Sequence, residues 1–145
     1  MPFMIAPPSV PDRVEFTIVL TADPSSVRLP RKLTEWALES WGLEHVAGKA
    51  SLVMCELTTN AVRETPGAQI WARVTLQDDG VLLEAWDRSP ALPAPPAPAD
   101  GDAENGRGLW LVDLLSLKAG VEETPALGGK VVWSLISRDP EDPAV

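Results

Sequence analysis

The sequence predicts an α/β (α+β) two-layer sandwich, a mixed and mostly antiparallel sheet with helices packed on one face. Three observations predict it. Segments 14–20, 69–76, 81–87, 117–123 and 130–137 read as strands. Segments from about 29 to 41, 44 to 64 and 109 to 115 read as helices. Their order, β-α-α-β-β-loop-α-β-β, leaves helices enough for one covering layer.

The first strand rests on Val14, Phe16, Ile18 and Leu20, spaced by two, and "TADPSS" breaks it. Leu29, Leu33, Trp36 and Ala37 follow at helical spacing, with Pro30 suited to the first turn of that helix. Gly42 punctuates, and the second helix runs to Glu64, where "TPGA" ends it. On this helix Val46, Ala50, Met54, Leu57 and Ala61 share one side, which packs on a sheet. Two strands joined by the turn "QDDG" come next, then a Pro/Ala loop over 90–105, the short apolar helix, and two strands joined by "TPALGG". The domain spans 13–138, with a loose arm over 1–12 and a disordered tail over 139–145.

Composition narrows the function. The formal net charge of −9 argues against direct nucleic-acid binding. The single Cys55 excludes an internal disulfide and a multi-cysteine zinc site, and is expected to be a buried small hydrophobe. The chain contains no apolar run of the roughly 18 residues that span a bilayer. The start, "MPFMIAPPSVPDR", lacks a basic n-region, so the expectation is a cytoplasmic protein with no membrane association. His45, without a second His or Cys nearby, reads as a surface residue. Trp36, Trp71, Trp86 and Trp133 read as core or partly exposed packing residues.

Four segments carry chemistry. In "LVMCELTTNAV", Lys49, Glu56, Asn60 and Arg63 fall within a sector of roughly 60° away from the apolar side. This is either a solvated face or a site in which a carboxylate handles a proton and an amide oxygen ligates a hard cation. In "LLEAWDRSP", Asp87 ends a strand; it either caps the turn or accepts from an exocyclic amine such as that of adenine. In "NGRGLWLVDLL", two glycines flank Arg107 at a helix start, which is an ordinary junction or a phosphate-binding one. "LGGKVVWSLI" reads by itself as hairpin chemistry.

In this order and spacing, the four segments resemble the histidine-kinase-like ATPase superfamily, which has the Bergerat fold. The nearest group is the anti-sigma factor serine/threonine kinases and related small ATP-binding regulators. The resemblance covers about residues 14 to 137: "CELTTNAV" is similar to the family's N box, "WDRSP" to its first glycine box and "GRGLWLV" to its second. The resemblance implies ATP and Mg²⁺ as cofactors. Asn60 would bind the Mg²⁺ that bridges the phosphates, and Glu56 would be the general base or orient the acceptor hydroxyl. Asp87 would accept from the adenine amine. Arg63, Gly106, Arg107, Gly108 and Leu109 complete the implied nucleotide-binding set, with 90–105 as the lid. "PALPAPPAP" holds five prolines, which favours an extended, stiff lid.

The implied activity is transfer of the γ-phosphate to a Ser or Thr of an anti-anti-sigma (STAS-type) partner. The alternative is a non-catalytic or weakly nucleotide-binding regulator that sequesters a sigma factor or another protein, and the resemblance also allows a homodimer. Three departures bear on this choice. Glu64 stands where many members have His, and its carboxylate is expected to repel a triphosphate. Val131 stands where Thr is frequent and brings no hydroxyl. The first glycine box is the shortened form Asp-Arg-Ser-Pro.

Overall fold

The computed structural model describes residues 14–92 and 104–139, with side chains from residue 108 onward in the second segment. The N-terminal arm, the tail from 140 and most of the expected lid lie outside the described residues. The elements run β1 (Glu15–Thr21), α1 (Arg28–Ser40), α2 (Glu44–Glu64), β2 (Gln69–Leu76), β3 (Gly80–Asp87), α3 (Glu104–Leu115), β4 (Lys118–Glu123) and β5 (Lys130–Ser137).

The sheet order is β1-β2-β3-β5-β4. Every pairing is antiparallel, so the sheet is not mixed as expected. The reason is connectivity: β2–β3 and β4–β5 are hairpins, and β1 and β2 also run oppositely after an even number of intervening helices.

Period two divides each strand between two environments. Val81, Leu83 and Ala85 of β3, and Val132, Ser134 and Ile136 of β5, are buried beneath the helices. The predicted stripe of α2, Val46, Ala50, Met54, Leu57 and Ala61, is at most 1% exposed and fills the other half of this core. The opposite sheet face carries Trp71 and Trp86, stacked with ring centroids 6.3 Å apart. Arg73 lies over Trp71 and donates to Glu84 at 2.9 Å.

Short devices fix the helix ends. Asp23 accepts from the Ser25 N–H at 2.9 Å and starts the 3₁₀ turn Pro24–Val27 that leads into α1. Pro30 therefore falls in the first turn of α1, where its missing N–H costs nothing. Phe16 meets Trp36 edge-on at 4.8 Å and Trp41 at 5.7 Å, which seats α1 on the end of β1. Trp36 is nevertheless 48% exposed.

α3 starts at Glu104, five residues before the expected 109. Gly106 and Gly108 are poor helix formers, which hid its first turn from sequence reading. Tertiary packing overrides propensity here, because α3 lies close against α2 at Gly108.

Candidate nucleotide-binding site

Glu56, Asn60 and Glu64 lie four apart along α2 and form one line down the helix. Each end of that line touches a different element. At one end, a Cβ placed on Gly108 would overlap Glu56 Oε1, so the glycine lets α3 close onto the Glu56 side chain. At the other end, Glu64 Oε1 accepts from Lys130 Nζ at 3.4 Å, and the same ammonium donates to Asp87 Oδ1 at 2.9 Å. Asn60 sits between the two ends. Helix α2, the tip of β3 and the start of α3 therefore converge.

Asp87 is 0% exposed at the last position of β3. The two sequence readings of this residue both have a structural counterpart in its two oxygens. Oδ1 caps the turn by accepting from the Ser89 N–H at 2.9 Å, and it also takes the Lys130 ammonium. Among the described residues, Oδ2 is buried without a hydrogen-bond partner, and so is Asn60 Nδ2. Burying such groups unpaired costs about 1–3 kcal/mol each, so two in one region point to a polar ligand that completes them. Burial pushes the Asp87 pKa up, while the Lys130 and Ser89 hydrogen bonds pull against it.

These residues fit a magnesium nucleotide. The free Asp87 oxygen matches an exocyclic amine. The orphaned Asn60 atom is a donor and matches a phosphate oxygen, while the oxygen of the same amide is of the kind a hard cation takes. Glu56 is half-buried, and Arg63 is exposed in the last turn of α2 on the same side. Gly106 is in the first turn of α3, where backbone N–H groups lack intrahelical acceptors, and Arg107 follows it. The Leu109 side chain is 8% exposed within the apolar core, so it holds α3 down.

Two sequence arguments against tight nucleotide binding change. Glu64 does not confront the site as an unpaired carboxylate, since Lys130 lies beside it. Val131 pairs in register with Trp86, on the sheet face away from α2. The residue opposite Asp87 on its own face is Lys130, so the missing hydroxyl of Val131 is not missing from the site.

Lys130 is the residue sequence reasoning passed over. The signal was a lysine beginning an apolar strand directly after Gly-Gly, two places from the buried Val132 on the same strand face. Elsewhere, His45 is exposed and its Nε2 lies 2.8 Å from the Arg138 carbonyl oxygen. Cys55 is half-buried, not buried, beside a cleft of about 310 Å³ lined by Pro24, Ser25, Val27, Arg28 and Arg31.

An open antiparallel sheet backed by helices, with the carboxylate–amide line of α2 linked through Lys130 to a buried strand-end aspartate, defines an α+β domain. The family model of the histidine kinase-like ATPase domain matches residues 20–134, and the chain belongs to that family. The match includes every residue of the site just described. No curated protein matches the chain. Among the described residues no helix is long and apolar enough to cross a membrane.

Proposed function

We propose that this protein is a cytoplasmic ATP-dependent serine/threonine kinase of the anti-sigma-factor type, acting on a STAS-type anti-anti-sigma partner. The observation that supports the reading best is the Glu56–Asn60–Glu64 line, joined to α3 through Gly108 and to Asp87 through Lys130.

Bound Mg·ATP supplies the γ-phosphoryl group. Asp87 Oδ2 would orient the base by accepting a hydrogen bond from its amine, and the Asn60 amide oxygen would hold the cation. Glu56 orients the partner's hydroxyl and takes its proton as the hydroxyl oxygen bonds phosphorus and ADP leaves. Positioning and charge neutralisation carry most of such a transfer, so few reacting side chains are needed.

The second reading is a regulator that binds a sigma factor without transferring phosphate. It is favoured by one observation: Asp87 Oδ1 is already occupied within the protein, which leaves the base a single acceptor oxygen. Thermal shift with Mg·ATP tests both readings. A ligand at a hundred times its Kd stabilises the folded state by about 2.7 kcal/mol. The kinase reading expects that shift in the wild type, its loss in Asn60→Ala, its retention in Glu56→Ala, and ³²P transfer to a STAS-type protein only with Glu56 present. No shift at millimolar Mg·ATP sinks it; a shift without transfer leaves the non-catalytic regulator.

A further inference from the structure

The β4–β5 turn delivers a cation that is 1% exposed to the end of β3. Trp86 Nε1 donates to Thr124 Oγ1 at 3.1 Å and to the Gly128 carbonyl at 3.0 Å, which ties the turn to β3. Gly129, at φ +79°, lies so close to the backbone of Asp87 and Arg88 that any Cβ would overlap it. This packing sets Lys130 directly opposite Asp87 in the β3–β5 register.

Two donors then meet one oxygen. Lys130 Nζ and the Ser89 N–H both reach Asp87 Oδ1 at 2.9 Å, which fixes the rotation of the carboxylate. Oδ2 is left buried with no donor among the described residues. Burial is the larger influence and raises the Asp87 pKa, and the adjacent ammonium pulls it back toward the ionised carboxylate. Ionised, Asp87 can only accept, which suits an amine; protonated, it could donate, which suits a carbonyl.

We propose that Lys130 is the positioning residue that sets the choice of purine: it holds Asp87 as an acceptor with Oδ2 free, and so selects a 6-amino over a 6-oxo base. The inference rests on the nucleotide reading above and adds to it the residue that enforces the base preference.

The test compares Mg·ATP with Mg·ITP by titration calorimetry on wild type, Lys130→Met and Lys130→Arg. The wild type is expected to prefer ATP by at least about tenfold, the effect of one hydrogen bond to a charged group. Lys130→Met brings the ratio to within about threefold of unity, and Lys130→Arg restores it. The ratio decides, because a merely structural lysine would weaken both nucleotides alike. A Lys130→Met protein that melts cooperatively and keeps the wild-type ratio overturns the inference and leaves nucleotide binding standing. A wild type that binds neither nucleotide overturns both. Where Lys130→Met does not melt cooperatively, Lys130→Gln is read by the same ratio.

Discussion

Lys130 and Asp87 face each other across β5 and β3 with Nζ 2.9 Å from Oδ1, the lysine 1% and the aspartate 0% exposed. Two opposite charges withdrawn from water this fully are tolerated because each answers the other, and removing one strands its partner. Asp87→Ala strands the ammonium with the more distant Glu64 alone, and is expected to lower unfolding free energy by about 3–5 kcal/mol. Lys130→Met/Asp87→Leu, which removes both charges, is expected to recover much of that loss. Urea unfolding of the two variants measures the difference, and equal losses would refute the coupling.

The same pair predicts a pH dependence. Burial raises the Asp87 pKa, so the folded state binds the proton more tightly than the unfolded chain does. The stability this contributes is fully present below the ordinary aspartate value of about 4. It is lost as pH rises through the higher folded pKa. Comparing wild type with Asp87→Asn removes the shared contribution of the other acids. The wild-type advantage should therefore shrink as urea midpoints are followed upward from pH 4. An advantage that grows with pH would show that the Lys130 and Ser89 hydrogen bonds outweigh burial.

Gly108→Ala should separate binding from chemistry. The added methyl meets the Glu56 carboxylate, the far end of a flexible side chain, so the fold can yield locally. Replacing glycine by alanine within a helix gains up to about 1 kcal/mol. The expectation is a protein of equal or higher Tm whose ATP affinity changes by less than about threefold, while phosphate transfer falls at least about tenfold because Glu56 is displaced. A fall in affinity that matched the loss of transfer would mean that Glu56 is not the group moved.

Glu64→Gln is expected to do little. The Glu64 side chain is 28% exposed and lies 3.4 Å from an ammonium that Asp87 already binds more closely. Losing a partly exposed pair of this kind costs about 1 kcal/mol or less. ATP affinity should stay within about threefold, because the charge removed already has a counter-ion. An affinity gain of tenfold or more would restore the view that Glu64 repels the triphosphate.

Much of the fold was legible in the sequence. The bounds of α2, β2 and β5 follow from hydrophobic period and from punctuation at "TPGA" and "TPALGG", because burial of one face imposes that period. α3 was read too short, since propensity sees two glycines as breakers and cannot see the neighbouring helix that requires Gly108. Glu56, Asn60 and Asp87 could be singled out as polar groups placed against apolar patterns. Lys130 carried only the signal of a lysine opening an apolar strand, because its meaning lies in a partner 43 residues away.

By itself, the chain's order of residues determined which segments are helix or strand, which faces are apolar and which polar groups are candidates for chemistry. Those properties are local, written in periods of 3.6 and 2.0 residues. Only the tertiary structure decided that Lys130 lies between Asp87 and Glu64, that Val131 points away from them, and that one aspartate oxygen is spent on the protein while the other meets no donor among the described residues. Strand register settles all three, since a shift of one residue would exchange Lys130 and Val131 between the faces of the sheet.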